Sequence, residues 1–248
     1  MYQTFKNIIL QIVPRKIIFE QEETLRSLYS FFYSGNSFQC NICSKNLRKF
    51  ITLSNGDSLC PNCGSLKRNR RLWSLLETEF LVPNGVVLDF SPSRCLYRKM
   101  KKRENINYQS TDLSGDFIAD HQFDITNLNL ADNCLDLVIC YHILEHIEND
   151  VQAIKELFRV MKPGAKALVQ TPFKEGEIYE DYSIVTAEDR LKHFGQEDHV
   201  RIYSVSGLKK RIENCGFIVE IREDFNDENK YNFDKKEKIL VITKPLNS

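Results

Sequence analysis

The sequence predicts an α/β fold whose central sheet is mainly parallel and doubly wound. From residue 86 onward, short apolar segments alternate with longer amphipathic ones, the order expected when helices follow strands. The apolar segments are also apolar almost throughout, which is typical of strands buried between two layers of helices. We therefore predict one α/β domain over residues 83–248.

Hydrophobic periodicity predicts the elements of this domain. Strands are predicted at VVLDF (86–90), NYQST (107–111), LDLVICY (135–141), AKALVQTPF (165–173), GFIVEI (216–221) and KILVIT (238–243). A helix is compatible with the residues up to about 104, and another is predicted over 204–215. A third, over 149–161, has Asn149 or Asp150 as its cap and Pro163-Gly164 as its terminator. Residues 174–203 match neither pattern and are expected to form a functional loop.

Two further segments precede this domain. Residues 1–38 are predicted to be helical and to end in the turn-like sequence SGNS at 34–37. Residues 39–82 contain two cysteine pairs followed by a connecting helix, which the spacing of apolar residues predicts over 65–80. The predicted segments are therefore 1–38, 39–82 and 83–248.

The cysteine pairs predict a small structural zinc ribbon. Cys40 and Cys43 form one Cys-x2-Cys turn, and Cys60 and Cys63 form a second after sixteen intervening residues. Four thiolates complete a closed tetrahedral shell around one zinc ion and leave no position for a substrate. A redox role needs a single pair at the start of a helix and fits two pairs poorly. Such pairs also indicate a reducing compartment, so we expect a cytoplasmic protein.

The charge is balanced, with 34 basic and 34 acidic residues, which gives no overall preference for nucleic acid or an anionic membrane. No apolar stretch approaches the ~20 residues that span a bilayer, and we predict no signal peptide. Between residues 40 and 71 one acid accompanies seven basic residues: Lys45, Arg48, Lys49, Lys67, Arg68, Arg70 and Arg71. They form either a solvated positive face or a contact surface for a phosphate-bearing substrate or RNA.

Three motifs give the sequence a family resemblance. They are DITNLNLADNCLDLVICYHILEHI (124–147), ELFRVMKPGAKALVQTPF (156–173) and HFGQEDHVRIY (193–203). With CPNCGSLKRNRRLW (60–73), they resemble the class I S-adenosylmethionine-dependent methyltransferases of the type 11 group, in a bacterial subgroup with an N-terminal four-cysteine zinc ribbon. The resemblance covers about 38–245 and implies a Rossmann-like fold.

The resemblance implies an S-adenosylmethionine site at the carboxyl ends of the strands. Asp112 ends the second strand, 23 residues after Asp89, and suits the ribose hydroxyls. Asp124 and Ile125 are expected to meet the adenine. The other candidate cofactor-binding residues are Asp89, Phe90, Ser91, Pro92, Ser93, Leu113 and Tyr141.

The first turn departs from the family pattern, because LDFSPSRCL (88–96) contains no glycine. Glycine usually lets the backbone approach a ligand there. We expect Ser91, Pro92 and Ser93 to form an alternative turn whose amides meet the methionyl carboxylate.

Candidate catalytic residues cluster in two segments. His142, Glu145 and His146 follow the strand 135–141, and Asp198 and His199 lie in 174–203. In one interpretation His146 or His199 is a general base, which Asp198 orients or replaces. In a second, His142, Glu145, His146 and His199 bind a second divalent ion, with nitrogen ligands favouring Zn, Mn or Fe. In a third, these side chains only stabilise the fold.

These observations predict a methyltransferase acting on a hydroxyl group of a small acceptor, such as a sugar, a phosphorylated metabolite or a natural product. Two alternatives remain. One is an RNA methyltransferase that uses the basic ribbon, and the other is a non-catalytic binding protein with a degenerate methyltransferase domain.

Overall fold

The computed structural model describes residues 15–223, 230–233 and 236–247. The predicted helix over residues 1–14 lies outside this part of the chain. The chain divides into two compact units. The first unit contains residues 1–74 and 226–234, and the second contains 75–225 and 235–248. Among the described residues, no helix is both long and apolar enough to cross a membrane.

The first unit contains one long helix and two small antiparallel hairpins. Its elements are α1 (Arg15–Ser30), β1 (Ser34–Gln39), β2 (Asn46–Leu47), β3 (Ile51–Thr52), β4 (Ser58–Leu59) and α2 (Lys67–Leu75), which continues into the second unit. Strand β1 pairs with β2, and β3 pairs with β4. The turn predicted at 34–37 lies instead in strand β1, because this segment pairs with the chain beyond the first cysteine turn.

The second unit contains the predicted α/β domain. Its elements are β5 (Val86–Phe90), α3 (Arg94–Lys101), β6 (Asn107–Thr111), β7 (Leu135–Tyr141), α4 (Asp150–Val160), β8 (Met161–Gln170), β9 (Phe173–Lys174), β10 (Tyr179–Glu180), α5 (Ala187–Phe194), β11 (Arg201–Ser204), α6 (Val205–Glu213), β12 (Ile218–Arg222) and β13 (Ile239–Thr243). A π-helical turn, Leu76–Phe80, precedes β5, and a 3-10 turn, Leu144–His146, follows β7.

A six-stranded sheet forms the centre of this unit, in the order β12-β13-β8-β7-β5-β6. Strands β6, β5, β7 and β8 are parallel, and β13 is antiparallel to both of its neighbours. Fully buried residues such as Leu88, Val138, Leu157, Leu168 and Leu240 pack the sheet against the helices. The parallel strands all end at one edge of the sheet, so the residues after them lie close together.

Helix α4 begins as predicted, since the side chain of Asn149 accepts a hydrogen bond from the amide of Gln152. Pro163 and Gly164 follow the end of the helix, as predicted. The helix ends at Val160, and Pro163 and Gly164 lie inside strand β8. The register between β7 and β8 shifts over this stretch, and such a bulge accommodates a proline that cannot donate a hydrogen bond to the neighbouring strand.

Residues 174–203 do not form the single irregular loop that we predicted. They contain β10, α5 and β11, and a small sheet joins the short strands in the order β10-β11-β9. Thr186 caps the start of α5, and Gly195, with a φ of 85°, ends it. The short strands carry too few residues for a hydrophobic period to be recognised.

Candidate functional site

The four paired cysteines converge in the first unit. Their sulfur atoms all lie within 4.8 Å of one another, with Cys40 Sγ 3.6 Å from Cys63 Sγ and Cys43 Sγ 3.8 Å from Cys60 Sγ. A tetrahedral zinc site with zinc–sulfur bonds of about 2.3 Å has sulfur–sulfur edges of about 3.8 Å. The spacing of the four sulfur atoms therefore fits zinc.

The two cysteine turns have matching backbone geometry. The amide of Ser44 donates to the carbonyl of Cys40 at 2.7 Å, and the amide of Gly64 donates to that of Cys60 at 2.9 Å. Ser44 and Gly64 both have positive φ angles, of 60° and 75°. Each turn thus folds back after its second cysteine, which brings both of its sulfur atoms to the same side.

Arg70 is fully buried next to the cysteine cluster. Its guanidinium donates to the carbonyls of Ser65 and Tyr231, both at 2.7 Å, and to the hydroxyl of Ser58 at 3.0 Å. Burial lowers the pKa of Arg70, whereas the nearby thiolates raise it. Arg71 is fully buried as well. Neither interpretation of the basic segment, as a solvated face or as a phosphate-contacting surface, therefore holds for these two arginines.

In the second unit, the ends of β5 and β6 are joined through Ser91 and Asp112. Ser91 Oγ donates to Asp112 Oδ1 at 2.7 Å, and the amide of Ser91 donates to the carbonyl of Thr111 at 2.7 Å. Ser91 has a φ of 46°, so a serine adopts the left-handed conformation for which glycine is usually chosen. Pro92 and Ser93 follow, and α3 begins directly after Ser93. The glycine-free turn is therefore sharp.

Asp112 is buried and already accepts three hydrogen bonds. Besides Ser91, the donors are Ser114 Oγ at 2.9 Å and the amide of Phe117 at 3.2 Å, both to Oδ2. Leu113 and Phe117 beside it have 59% and 48% of their surface exposed. A carboxylate next to exposed apolar side chains is suited to a ligand with both hydroxyl groups and a flat apolar ring.

The remaining candidate cofactor residues differ in exposure. Asp124 is exposed, and its Oδ1 accepts hydrogen bonds from the amide and hydroxyl of Thr126 at 2.8 and 2.7 Å. Ile125 and Phe90 are buried, whereas Tyr141 is half-buried at the end of β7. Only Asp124 of these offers an exposed polar group in the described conformation.

Asp89 is buried within the sheet and accepts a hydrogen bond from Tyr108 Oη at 3.0 Å. Burial raises the pKa of Asp89 to about 7, because the charged carboxylate loses its contact with water. The unfolded chain releases this proton near pH 4 and the folded chain near pH 7, so the free energy of unfolding should fall as the pH rises between these values.

Asp89→Asn should therefore stabilise the protein without ligands, and more at pH 8 than at pH 5. The increase in the free energy of unfolding should be about 2–3 kcal/mol larger at pH 8 than at pH 5, since one pKa unit corresponds to about 1.4 kcal/mol. Urea unfolding of both proteins at the two pH values measures this difference. Asp136→Asn is the control, because Lys162 lowers the pKa of Asp136, which is then ionised throughout this range. An Asp89→Asn gain that does not change with pH would contradict the prediction.

Three candidate catalytic residues form a compact cluster after β7. Glu145, His146 and His199 each place one ligand atom within 4.8 Å of the others. The rings of His146 and His199 are 4.7 Å apart and nearly perpendicular. Asp198 Oδ2 lies 3.2 Å from His146 Nδ1. His142 does not belong to the group of three, and its Nδ1 is instead 3.2 Å from Glu145 Oε1. The structure therefore brings the two chain segments together, as predicted.

This cluster is sheltered from water. Glu145 and His199 have only 1% and 4% of their surface exposed. Burial lowers the pKa of His199, and the neighbouring His146 lowers it further. Among the described residues, no donor or acceptor pairs with Glu145 Oε2, His142 Nε2 or Gln170 Oε1. Because unpaired buried polar atoms are costly, each of these three atoms is a candidate contact for a ligand.

Sequence reasoning missed two residues at this site. Gln170 ends β8 next to Tyr141 of β7, and the rule that parallel strands end at one edge would have found it. Arg201 is fully buried, and its guanidinium donates to the carbonyls of Leu144, Ile147 and Glu148. It therefore fixes the turn that carries Glu145 and His146. A lone arginine in a polar segment gives no sequence signal for such a role.

Comparisons with known proteins agree with this geometry. Residues 75–169 match the family described as the methyltransferase domain. A Mycolicibacterium smegmatis protein named a probable S-adenosylmethionine-dependent methyltransferase is 30% identical over 101 residues, or 39% of this chain. The match spans 34% of that curated relative. Residues 75–169 are therefore the part of this chain that is similar to a methyltransferase domain.

Solved structures confirm the fold of the methyltransferase domain. A chain of the complex containing the Haloferax volcanii Trm112 methyltransferase activator has a TM-score of 0.51 at 14% identity, covering 70% of this chain and 88% of that one. An S-adenosylmethionine-dependent methyltransferase of Mesorhizobium loti has a TM-score of 0.50 at 13% identity, covering 69% and 97%. The predicted Rossmann-like class I fold is therefore confirmed, whereas the roles of individual residues stay predictions.

Proposed function

We propose that this protein transfers a methyl group from S-adenosylmethionine to a hydroxyl group of a small acceptor. The match of residues 75–169 to the methyltransferase domain carries the proposal. When bound, S-adenosylmethionine supplies the methyl group: its carbon–sulfur bond breaks as a carbon–oxygen bond forms, and the hydroxyl proton leaves. The residues at the carboxyl edge of the sheet supply binding and orientation for this reaction.

The edge formed by β5 and β6 would hold the cofactor. Asp112 would accept hydrogen bonds from the ribose hydroxyls, in competition with the hydroxyl of Ser114, which now donates to Oδ2 at 2.9 Å. Leu113 and Phe117 offer exposed apolar surface to the adenine ring. Asp124 offers a carboxylate to the adenine amine.

The turn after β5 would hold the amino-acid end of the cofactor. The amides that begin α3 after Ser93 make no hydrogen bond to the side chain of that residue, and a carboxylate group can accept from them. Ser91 supports this arrangement, because its hydroxyl donates a hydrogen bond of 2.7 Å to Asp112 Oδ1. Phe90, Pro92 and Tyr141 complete the candidate surface.

The acceptor would bind above the ends of β7 and β8. Gln170 Oε1 and the Glu145–His146–His199 cluster are close to this edge, and they offer polar atoms to a hydroxyl group. The segment 174–203 contributes exposed apolar side chains, among them Tyr182, Val185 and Leu191. A small acceptor with a polar end and an apolar body, such as a sugar-linked or phosphorylated metabolite, matches this combination.

The first unit would hold one structural zinc ion through Cys40, Cys43, Cys60 and Cys63. Four thiolates fill its coordination shell, so we assign this zinc no part in the reaction. The burial of Arg70 and Arg71 leaves fewer basic side chains to contact RNA, and this favours a small acceptor over the RNA alternative.

Binding and turnover measurements on the full chain test the proposal. Calorimetric titration should show one molecule of S-adenosylmethionine bound per chain. Pools of sugars, sugar phosphates and phenolic metabolites should then accept a radioactive methyl group that alkaline hydrolysis does not release. Failure to bind S-adenosylmethionine while the fold is intact would leave the non-catalytic alternative. Methylation of RNA, with binding that weakens steeply as salt increases, would support the RNA alternative.

A further inference from the structure

Glu145, His146 and His199 form a group with the composition of a divalent-cation site. They provide one carboxylate and two imidazoles, and their ligand atoms lie within 4.8 Å of one another. Two histidines and one carboxylate on one side of an ion leave further positions open for oxygen ligands. We propose that these three residues bind a divalent transition-metal cation whose open position receives the hydroxyl group of the acceptor.

The buried carboxylate of Glu145 is the first independent support. Oε1 is 3.2 Å from His142 Nδ1, whereas Oε2 has no hydrogen-bond partner among the described residues. Glu145 has 1% of its surface exposed, so bulk water does not reach this oxygen. A buried carboxylate without a partner is costly, and a cation beside the two imidazoles would supply the missing charge.

The orientation of the two imidazoles is the second support. Metal-binding histidines commonly donate the hydrogen of their other ring nitrogen to a carboxylate or a backbone carbonyl. The ring centres of His146 and His199 lie 4.7 Å apart, and His146 Nδ1 lies 3.2 Å from Asp198 Oδ2. Asp198 would therefore orient the His146 ring through Nδ1 and leave its other nitrogen for the ion.

The ligand set indicates which ion would bind. Imidazole nitrogen suits zinc, manganese, iron and cobalt, whereas magnesium prefers a shell of oxygen atoms. The cation would lower the pKa of a coordinated acceptor hydroxyl, so that its oxygen becomes the nucleophile and its proton leaves to solvent or to Asp198. This role rests on the proposed function, whereas binding of the ion does not.

A titration with Mn²⁺, monitored by electron paramagnetic resonance, tests the site directly. The protein used is the full chain with its ribbon zinc in place. The full chain should bind one Mn²⁺. Glu145→Gln keeps the size of the side chain and should weaken binding by more than about 100-fold, since even outer residues of metal sites account for 10–100-fold. Asp198→Asn should weaken it by about 10-fold, through the lost orientation of His146. His193→Ala is the control, because this exposed histidine contacts Tyr179 instead and should leave Mn²⁺ affinity unchanged.

Two measurements separate this proposal from the proposed function. S-adenosylmethionine affinity should be the same for the wild type and Glu145→Gln, since the cofactor edge lies at β5 and β6. The spectrum of Co²⁺ should change when the ion is added to the wild-type protein. It should not change when the ion is added to Glu145→Gln. Failure to bind Mn²⁺ and Co²⁺, or equal binding by Glu145→Gln, would overturn the metal site. Methyl transfer that persists with no ion bound would assign the proton transfer to a histidine base.

Discussion

Replacing Cys63 with serine should release the zinc from the first unit and unfold its two hairpins. The four sulfur atoms lie within 4.8 Å of one another and fit one tetrahedral shell, so the loss of one thiolate opens that shell. Structural zinc contributes about 10–16 kcal/mol to the folding of zinc-finger peptides, far more than two hairpins that pair at only two or three positions can contribute. Metal analysis should show the loss of about one zinc ion per chain, and limited proteolysis should cut within residues 39–66.

The control for this experiment is Cys134→Ser. Cys134 lies in the second unit and belongs to neither cysteine pair, so its replacement should leave both zinc content and proteolytic resistance unchanged. Full zinc occupancy in Cys63→Ser would show that the metal is bound elsewhere. A zinc-free wild-type protein with its first unit folded would contradict the zinc ribbon itself.

Replacing Asp112 with alanine should weaken S-adenosylmethionine binding by about 1–3 kcal/mol, or about 5- to 150-fold, because hydrogen bonds to a charged carboxylate are lost. Ser91→Ala should have a smaller effect in the same direction, because it removes the hydrogen bond that fixes Asp112 at 2.7 Å. Calorimetric titration gives each dissociation constant, and thermal unfolding shows whether the variants remain folded.

Asp116→Asn is the matched control for Asp112→Ala. Asp116 is an exposed acid of the same loop, and in the described conformation its amide donates to Ser114 Oγ at 3.1 Å. Its replacement should leave cofactor affinity unchanged. If Asp112→Ala and Asp116→Asn bind S-adenosylmethionine equally well, the ribose role of Asp112 is wrong, whatever the activity of the whole protein.

Local sequence patterns determined much of the α/β unit. Strands β5, β6 and β7 lie where apolar segments predicted them, and Asn149 caps α4 as expected. The convergence of the four cysteines also followed from spacing alone, because two residues between cysteines fix a tight turn. These features depend on hydrophobic period and short-range geometry, both of which a single sequence contains.

Only the tertiary structure decided the features that depend on contacts between distant residues. Residues 34–39 form a strand because β2 lies beside them, and Arg70 is buried because carbonyls from Ser65 and Tyr231 surround it. The same holds at the site, where Glu145 and His146 meet His199 more than fifty residues along the chain, but His142 does not join them. One interpretation of the sequence placed His142 with Glu145, His146 and His199 around one ion, whereas the chain forms a short 3-10 turn over Leu144–His146 that excludes His142. Positions of side chains in three dimensions depend on packing, which local periodicity does not encode.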